Sequence, residues 1–258
     1  DNQMSTVKEF YADKLLVKIY DSRDTMGKDA AVEVIAKIKE LLSKKEEISM
    51  IFAAAPSQNE FLAALVADED ISWERVTAFH MDEYIGLDKN APQAFGNFLR
   101  ERIFDKVPFK AVHFLDGNAE DIEKECKRYG QLLEDAKVDV VCMGIGENGH
   151  IAFNDPPVAD FKDGHLVKMV ELDDTCRMQQ VNDGCFATKN LVPTHALTLT
   201  IPALMAGKNL FCMVPAKTKA QAVKNTVHGE ISEACPASIL RTRENAILYL
   251  DPDSSSML

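Results

Sequence analysis

Val138–Pro157, VDVVCMGIGENGHIAFNDPP, constrains the chain more than any other stretch. An apolar run rich in valine (Val138–Met143) stops at a loop that holds Gly144, Gly146 and Gly149, one histidine and a short polar tail. A continuous apolar run of this length, bounded by glycine, predicts a strand buried on both faces of a mostly parallel sheet. The loop then falls at the strand's carboxyl end, where open α/β sheets hold their ligands. Glycines there let the backbone turn sharply and approach a ligand closely. His150 is the one side chain in the loop whose ordinary pKa lies near neutrality. Asp155, five residues on, is placed to orient its ring.

The same loop spells G-x-G-x-x-G, the fingerprint of dinucleotide sites. That fingerprint works only when a helix starts within the glycines and offers its N-terminus to the pyrophosphate. Here Pro156 and Pro157 follow closely and discourage a helix. No acidic residue closes a βαβ unit at the required spacing. Neither a nicotinamide nor a flavin is expected, and no cofactor is assigned.

The remaining segments alternate between two periodicities. Lys14–Asp21, Ile48–Ala55, Val76–Met81, Ala111–Leu115, Leu166–Glu171, His195–Thr200, Leu210–Val214 and Ala246–Leu250 read as strands. Asp24–Lys44 repeats apolar residues at Ala31, Val34, Ile35, Ile38, Leu41 and Leu42, a helical spacing, with Asp24 as its N-cap. Glu60–Val66, Gln93–Phe104, Ile122–Ala136 and Ala216–Val227 also read as helices. Strands alternating with helices over 258 residues, without repeat or linker, predict one doubly wound α/β domain over residues 1–258 with helices on both faces.

Bulk properties narrow the partners. A net charge of −12 argues against nucleic acid or an anionic membrane surface. No apolar run approaches the ~20 residues of a membrane span, and no signal peptide is recognisable. Six cysteines without C-x-x-C pairing, most of them in apolar runs, predict reduced thiols in a cytoplasmic protein. An anionic substrate needs a local basic pocket within this acidic surface. Assembly into a homo-oligomer is compatible with the sequence and not decided by it.

Three strand ends collect polar residues: Ser57-Gln58-Asn59, Asp82-Glu83, and Asn148 to Asp155 with His150. Taken singly, Ser57 is a plausible helix N-cap, Asp82-Glu83 a solvated turn and His150 a satisfied loop histidine. Their common position at carboxyl ends favours a site. A carboxylate with a histidine suits proton shuttling beside a carbonyl. A metal held by His80, Asp82 and His150 is the weaker reading, because no second set of partners is legible, and no metal is assigned. Cys142, inside a strand, reads as a small hydrophobe and not a nucleophile.

Phe79–Leu87 (FHMDEYIGL) and Gly144–Pro156 (GIGENGHIAFNDP) resemble the two signature stretches of the glucosamine-6-phosphate deaminase/isomerase family. Val192–Leu197 (VPTHAL) and Ala246–Pro252 (AILYLDP) resemble that family in order and spacing. The resemblance implies a modified Rossmann-type α/β fold. It also implies metal-free conversion of an amino-sugar 6-phosphate, glucosamine or galactosamine, to a ketose 6-phosphate and ammonia. Position by position, Asp82 resembles the base that moves a proton between C2 and C1. His150 resembles the residue that assists ring opening. Asp155 stands where a glutamate usually orients that histidine, and Asn148 where many members have aspartate. Gly144 resembles a backbone position lining the sugar, Glu83 falls within the first signature, and Lys219 resembles a phosphate-binding lysine.

The chain departs from the family in several places. Ala55–Asn59 replaces a glycine-rich phosphate loop, which leaves Ser57 and the amides of Gln58 and Asn59 to hold an anion at a helix N-terminus. The family's phosphate-binding arginine has no clean counterpart; Arg177, in a segment with a small insertion (Cys176–Cys185), is the candidate. Asn148 carries no charge and pulls less on an imidazolium than aspartate does. A 6-phosphogluconolactonase-type hydrolase and a non-catalytic sugar-phosphate sensor are the alternative readings.

Overall fold

Successive side chains of a strand point to opposite faces. In the central strands of this chain both sets are apolar, so each strand is pinned between two layers of helices. The computed structural model describes residues 6–258. Its strands are β1 (Thr6–Ala12), β2 (Leu15–Tyr20), β3 (Ile48–Phe52), β4 (Val76–His80), β5 (Asp82–Tyr84), β6 (Ala111–His113), β7 (Val140–Met143), β8 (Val167–Glu171), β9 (His195–Leu199), β10 (Asn209–Val214) and β11 (Ala246–Leu250). Eight of them form one sheet in the order β1-β2-β11-β10-β7-β3-β4-β6. Only β1 runs antiparallel to its neighbour; the other pairs are parallel.

The helices are α1 (Arg23–Leu42), α2 (Asn59–Ala67), α3 (Phe95–Leu99, continued by a π turn over Arg100–Phe104), α4 (Ile122–Ala136), α5 (Asp174–Asn182), α6 (Ile201–Met205) and α7 (Ala220–His228). Neighbouring strand residues sort into two cores. Met50, Phe52, Cys142 and Met213 pack with Val34 and Ile38 of α1 and Phe61 and Leu65 of α2. Ile51, Val141, Met143 and Cys212 pack with Tyr129 and Leu133 of α4 and Val223 and Val227 of α7. Each such side chain, fully buried, is worth roughly 1.5–3 kcal/mol against its exposed state, which is why the apolar runs fix these strands so firmly.

The order also locates the site. From β3 the chain moves outward through β4 to β6, then returns to β7 on the other side of β3 and moves outward through β10 and β11. The winding reverses between β3 and β7. Such a switch leaves a crevice at the carboxyl ends of the two strands, because their loops leave in opposite directions.

Several elements differ from the sequence reading. Residues 166–171 and 195–200 do not join the main sheet. With Asp82–Tyr84 they form a separate three-stranded antiparallel sheet in the order β5-β9-β8. Asp82-Glu83 is thus strand and not a solvated turn. β1 has no apolar run to mark it in the sequence, because its residues are either exposed or only partly covered. The N-cap of α1 is Ser22, whose side chain accepts the Thr25 N–H, and not Asp24. The segment read as an insertion contains α5, capped by Asp173, which accepts the Cys176 N–H at 2.7 Å.

Candidate active site

The loops leaving β3 and β7 face each other across the switch point. Between them lies a cleft of about 480 Å³, its open mouth included, lined by Ser57, Asp82, Gly144, His150, Gln179, Gln180 and Lys219 among others.

Asp82 reaches the cleft because the chain leaves β4 at His80, turns at Met81 and enters β5, where Asp82 lies opposite Thr198 of β9. The residue is 7% exposed, and its carboxyl accepts no hydrogen bond from any described residue. Burial, with the nearby charges of Glu83 and Asp155, holds its pKa well above the usual carboxylate range. Behind it, His80 is fully buried, and both its ring nitrogens are used. The Leu115 N–H donates to Nε2 at 3.1 Å, so Nε2 carries no proton. The proton therefore sits on Nδ1, which donates to the carbonyl of Asp82 at 2.9 Å. Burial pushes this imidazole down to about 4, so it stays neutral. With no free nitrogen, His80 is not a metal ligand beside Asp82.

His150 lies flat over Gly146, where a Cβ would come within 1.9 Å of Cε1. Gly149, at φ +83°, closes the turn against Cys235, whose Sγ would lie 2.7 Å from an added Cβ. Only glycine fits either position. Asn148 Oδ1 accepts the backbone N–H of His150 at 3.0 Å and stands 2.5 Å from Nδ1. An amide oxygen only accepts, so Nδ1 holds the proton and Nε2 is the basic nitrogen. The amide's other end donates to Asp155 Oδ1 at 3.5 Å and Asp173 Oδ2 at 3.4 Å, which fixes its orientation. Burial and the charge of Lys219 push His150 down to about 3. Burial and the charge of Asp173 push Asp155, 3.2 Å from Nδ1, up to about 7. The ring is therefore neutral beside an acid that is part-protonated at neutral pH. Cys176 Sγ lies behind them: His150, Asp155 and Cys176 present donor atoms within 4.8 Å of one another.

Lys219 ends a 3₁₀ turn (Lys217–Lys219) that leads into α7. Ala216, just before it, has φ +90°, a strained value for a side chain with a Cβ, and its N–H is held by Asp251 Oδ2 at 3.1 Å. The lysine is 6% exposed, forms no ion pair with a described residue, and burial lowers its pKa. A buried, unpaired ammonium facing a cleft is a ready anion site. Ser57 lies in the same cleft on the β3 side.

The structure thus brings Ser57, Asp82, Gly144, His150 and Lys219 to one cleft and sets Asn148 and Asp155 behind the imidazole. Four other candidates face elsewhere. Gln58 is wholly buried, and its Nε2 clips the carbonyls of Met143 and Met213, at 3.3 and 3.4 Å, to the β3 loop. The amides of Gln58 and Asn59 donate to Ala55 and Pro56 within the 3₁₀ turn, so neither is free for an anion. The Asn59 side chain accepts Arg102 Nε at 2.8 Å. Glu83 points away from the cleft, as the residue after Asp82 in a strand must, and accepts the amides of Tyr84, Phe95 and Gly96. Arg177 donates to the carbonyls of Lys189 and Val192, at 2.9 and 2.8 Å, tying α5 to the turn that follows.

Gln179 and Gln180 of α5 line the cleft and were not singled out from sequence. Gln179 Oε1 accepts the Glu147 N–H at 2.7 Å, while the Gln180 side chain has no partner among the described residues. The available signal was Asp173 as an N-cap; apolar periodicity is too weak in this helix to show it.

The sequence model of a family described as glucosamine-6-phosphate isomerases/6-phosphogluconolactonase matches residues 21–249. A glucosamine-6-phosphate deaminase of Listeria monocytogenes is 33% identical over 232 residues, 90% of this chain and 95% of that protein. One from Bacillus cytotoxicus is 36% identical over 194 residues, 75% and 72% of the two chains. Among solved structures, a monomeric glucosamine-6-phosphate deaminase superposes with a TM-score of 0.85 at 29% identity, covering 94% of this chain and 99% of that one. A 6-phosphogluconolactonase from Thermotoga maritima superposes at 0.74 and 19% identity, covering 91% and 98%, a likeness of fold alone.

Proposed function

The chain belongs to the glucosamine-6-phosphate isomerase/6-phosphogluconolactonase family, and from that premise we propose that it is a deaminase that converts an amino-sugar 6-phosphate to the ketose 6-phosphate and ammonia. The observation that carries this reading is the meeting of Asp82 and His150, from different strand ends, in one cleft that also holds Lys219 and Ser57. Lys219 and Ser57 receive the phosphate. The unprotonated Nε2 of His150 takes the proton of the anomeric hydroxyl and returns it to the ring oxygen, which opens the sugar to an aldehyde. Asp82 then removes the C2 proton and delivers it to C1, while the aldehyde oxygen takes up a proton to become the C1 hydroxyl and the C2 amine gives one up. The C2 nitrogen becomes an imine, and water hydrolyses it to the ketone with loss of ammonia.

The environment of Asp82 suits this task. A carboxylate without hydrogen bonds in a buried cleft is a stronger base than one in water, and a base works best when its pKa lies near the operating pH. Glucosamine and galactosamine 6-phosphate are both substrates to test, since the choice between them rests on contacts to one hydroxyl. Six free thiols, three of them buried, support a place in the cytoplasm. All residues assigned to the reaction come from one chain, so the chemistry asks nothing of a second copy.

Ammonia release, measured with a chelator present against the two amino-sugar phosphates side by side, tests the proposal. Release from either, lost in Asp82→Asn, supports it. No release from either, with hydrolysis of 6-phosphogluconolactone instead, overturns it in favour of the lactonase reading. Calorimetric binding of the sugar phosphates without any turnover overturns it in favour of a sensor.

A further inference from the structure

Cys176 is the member of the buried group behind His150 that the proposed reaction leaves without a task. Its side chain is 0% exposed, Asp155 is 1% and His150 6%, and their donor atoms lie within 4.8 Å of one another. Asp155 Oδ2 is buried with no nitrogen or oxygen donor in hydrogen-bond geometry, and the Cys176 thiol is close enough to interact with that carboxyl. A buried carboxyl held on that side only by a weak thiol donor is poorly satisfied, and a cation shared by the carboxyl, the thiol and the imidazole relieves it.

We propose that His150, Asp155 and Cys176 bind one zinc-class divalent ion, and that the ion switches off the cleft in front of it. The donor set decides the class. Magnesium and calcium take six or more oxygens, whereas nitrogen, oxygen and thiolate together suit zinc or cadmium. Tetrahedral zinc places such donors roughly 3.3–3.8 Å apart, from bond lengths of about 2.0–2.3 Å. His150 Nδ1 and Asp155 Oδ1 already stand 3.2 Å apart, so the set closes on an ion with a shift on the order of 1 Å. Asn148 Oδ1, 2.5 Å from Nδ1, or a water completes the fourth position.

Binding has a defined consequence for the ring. The thiol, and Asp155 where it is protonated, lose their protons to solvent, and solvent carries the Nδ1 proton round to Nε2. The lone pair of Nδ1 goes to the metal, so the neutral imidazole carries its proton on Nε2. That nitrogen, which accepts the sugar's hydroxyl proton in the proposed reaction, becomes a donor and no longer acts as a base. The inhibitory half of this inference rests on that reading of His150; the ion site itself does not.

The test uses the purified chain, dialysed against chelator and then titrated with Cd²⁺ and Zn²⁺. The expected result is one ion bound per chain and a cadmium–thiolate charge-transfer band. The band is retained in Cys235→Ser, a control for a partly exposed thiol, and lost in Cys176→Ser. Should Cys176→Ser fail to fold, Asp155→Asn, which keeps the side-chain volume and removes the anionic donor, is expected to weaken Cd²⁺ binding at least tenfold. Zinc should inhibit ammonia release reversibly, with recovery on adding chelator. A band that persists in Cys176→Ser, or affinity unchanged in Asp155→Asn, overturns the site. Because the band is read without turnover, a chain silent in the ammonia assay still reports on the ion site. A chain that turns over and takes up no ion refutes the site alone.

Discussion

Asp82 and Glu83 are adjacent acids on one short strand, both buried, and their surroundings are opposite. Asp82 faces the cleft and accepts no hydrogen bond from a described residue. Glu83 faces the other side and accepts three backbone amides, which fasten β5 to the start of α3. Burial raises both carboxyls, Asp82 well above its usual value and Glu83 to about 7, the amides pulling Glu83 back. Burial alone therefore does not separate a reacting acid from a structural one. The number of donors already committed to it does.

The sharpest way to break this comparison is Asp82→Asn. Loss of a general base costs roughly 10²–10⁴-fold, so turnover should fall at least about 10³-fold, with calorimetric binding of the sugar phosphate and the unfolding midpoint nearly unchanged. Glu83→Gln should do the reverse. An amide presents one acceptor and one donor to three N–H groups, and orphaned buried amides cost about 1–3 kcal/mol each. Urea unfolding should show a loss of about 3 kcal/mol, while turnover per folded molecule stays within a few-fold. The same variant has a pH signature. Glu83 binds a proton in the folded chain up to about 7 and in the unfolded chain only to about 4.5. Its contribution is therefore full below 4.5 and lost as pH rises through 7. Across that window wild type should therefore lose stability relative to Glu83→Gln, because the contributions of Asp82, Asp155, His80 and His150 are common to both chains and cancel in the difference.

Smaller effects sharpen the picture. His80→Leu removes the donor on the Asp82 carbonyl and the acceptor for Leu115. If that brace sets where Asp82 points, kcat should fall about tenfold with KM little changed, since proton transfer is more sensitive to placement than binding is. Asn148→Asp should have the smallest combined effect on rate and stability. It adds a charge beside His150 but sets it against Asp155 and Asp173, toward which the amide now donates. A loss of about 1 kcal/mol in stability and a few-fold change in rate are expected, from one like-charge contact in place of a hydrogen bond.

How legible these features were in the sequence depended on what each residue has to satisfy. β3, β4, β7, β10 and β11 could be read because both faces are buried and their apolar runs are continuous. The loop glycines, Ser57, Asp82, His150 and Lys219 stand at the ends of such runs, and the fold delivers them to one crevice. The small antiparallel sheet was not legible, because apolar residues in β8 and β9 do not say which sheet they join. Glu83 could have been read correctly: once Asp82 faces the cleft, strand parity turns its neighbour away. Gln58 and Arg177 show a different limit. Both are polar residues near a site, and only the folded backbone reveals that carbonyls claim them first.

The place of β2 in the main sheet bears on how the chain is made. Formed from residues 15–20, it pairs with β1 on one side and on the other with β11, which is not complete until residue 250. During synthesis the β1-β2 ribbon must therefore wait, with an open parallel edge, for almost the whole chain to emerge. A product cut short before Ala246 leaves that edge and the edge of β10 unpaired, and unpaired edges recruit other chains. The last strand thus works as a quality check: truncated chains should aggregate instead of persisting as soluble, partly working enzyme.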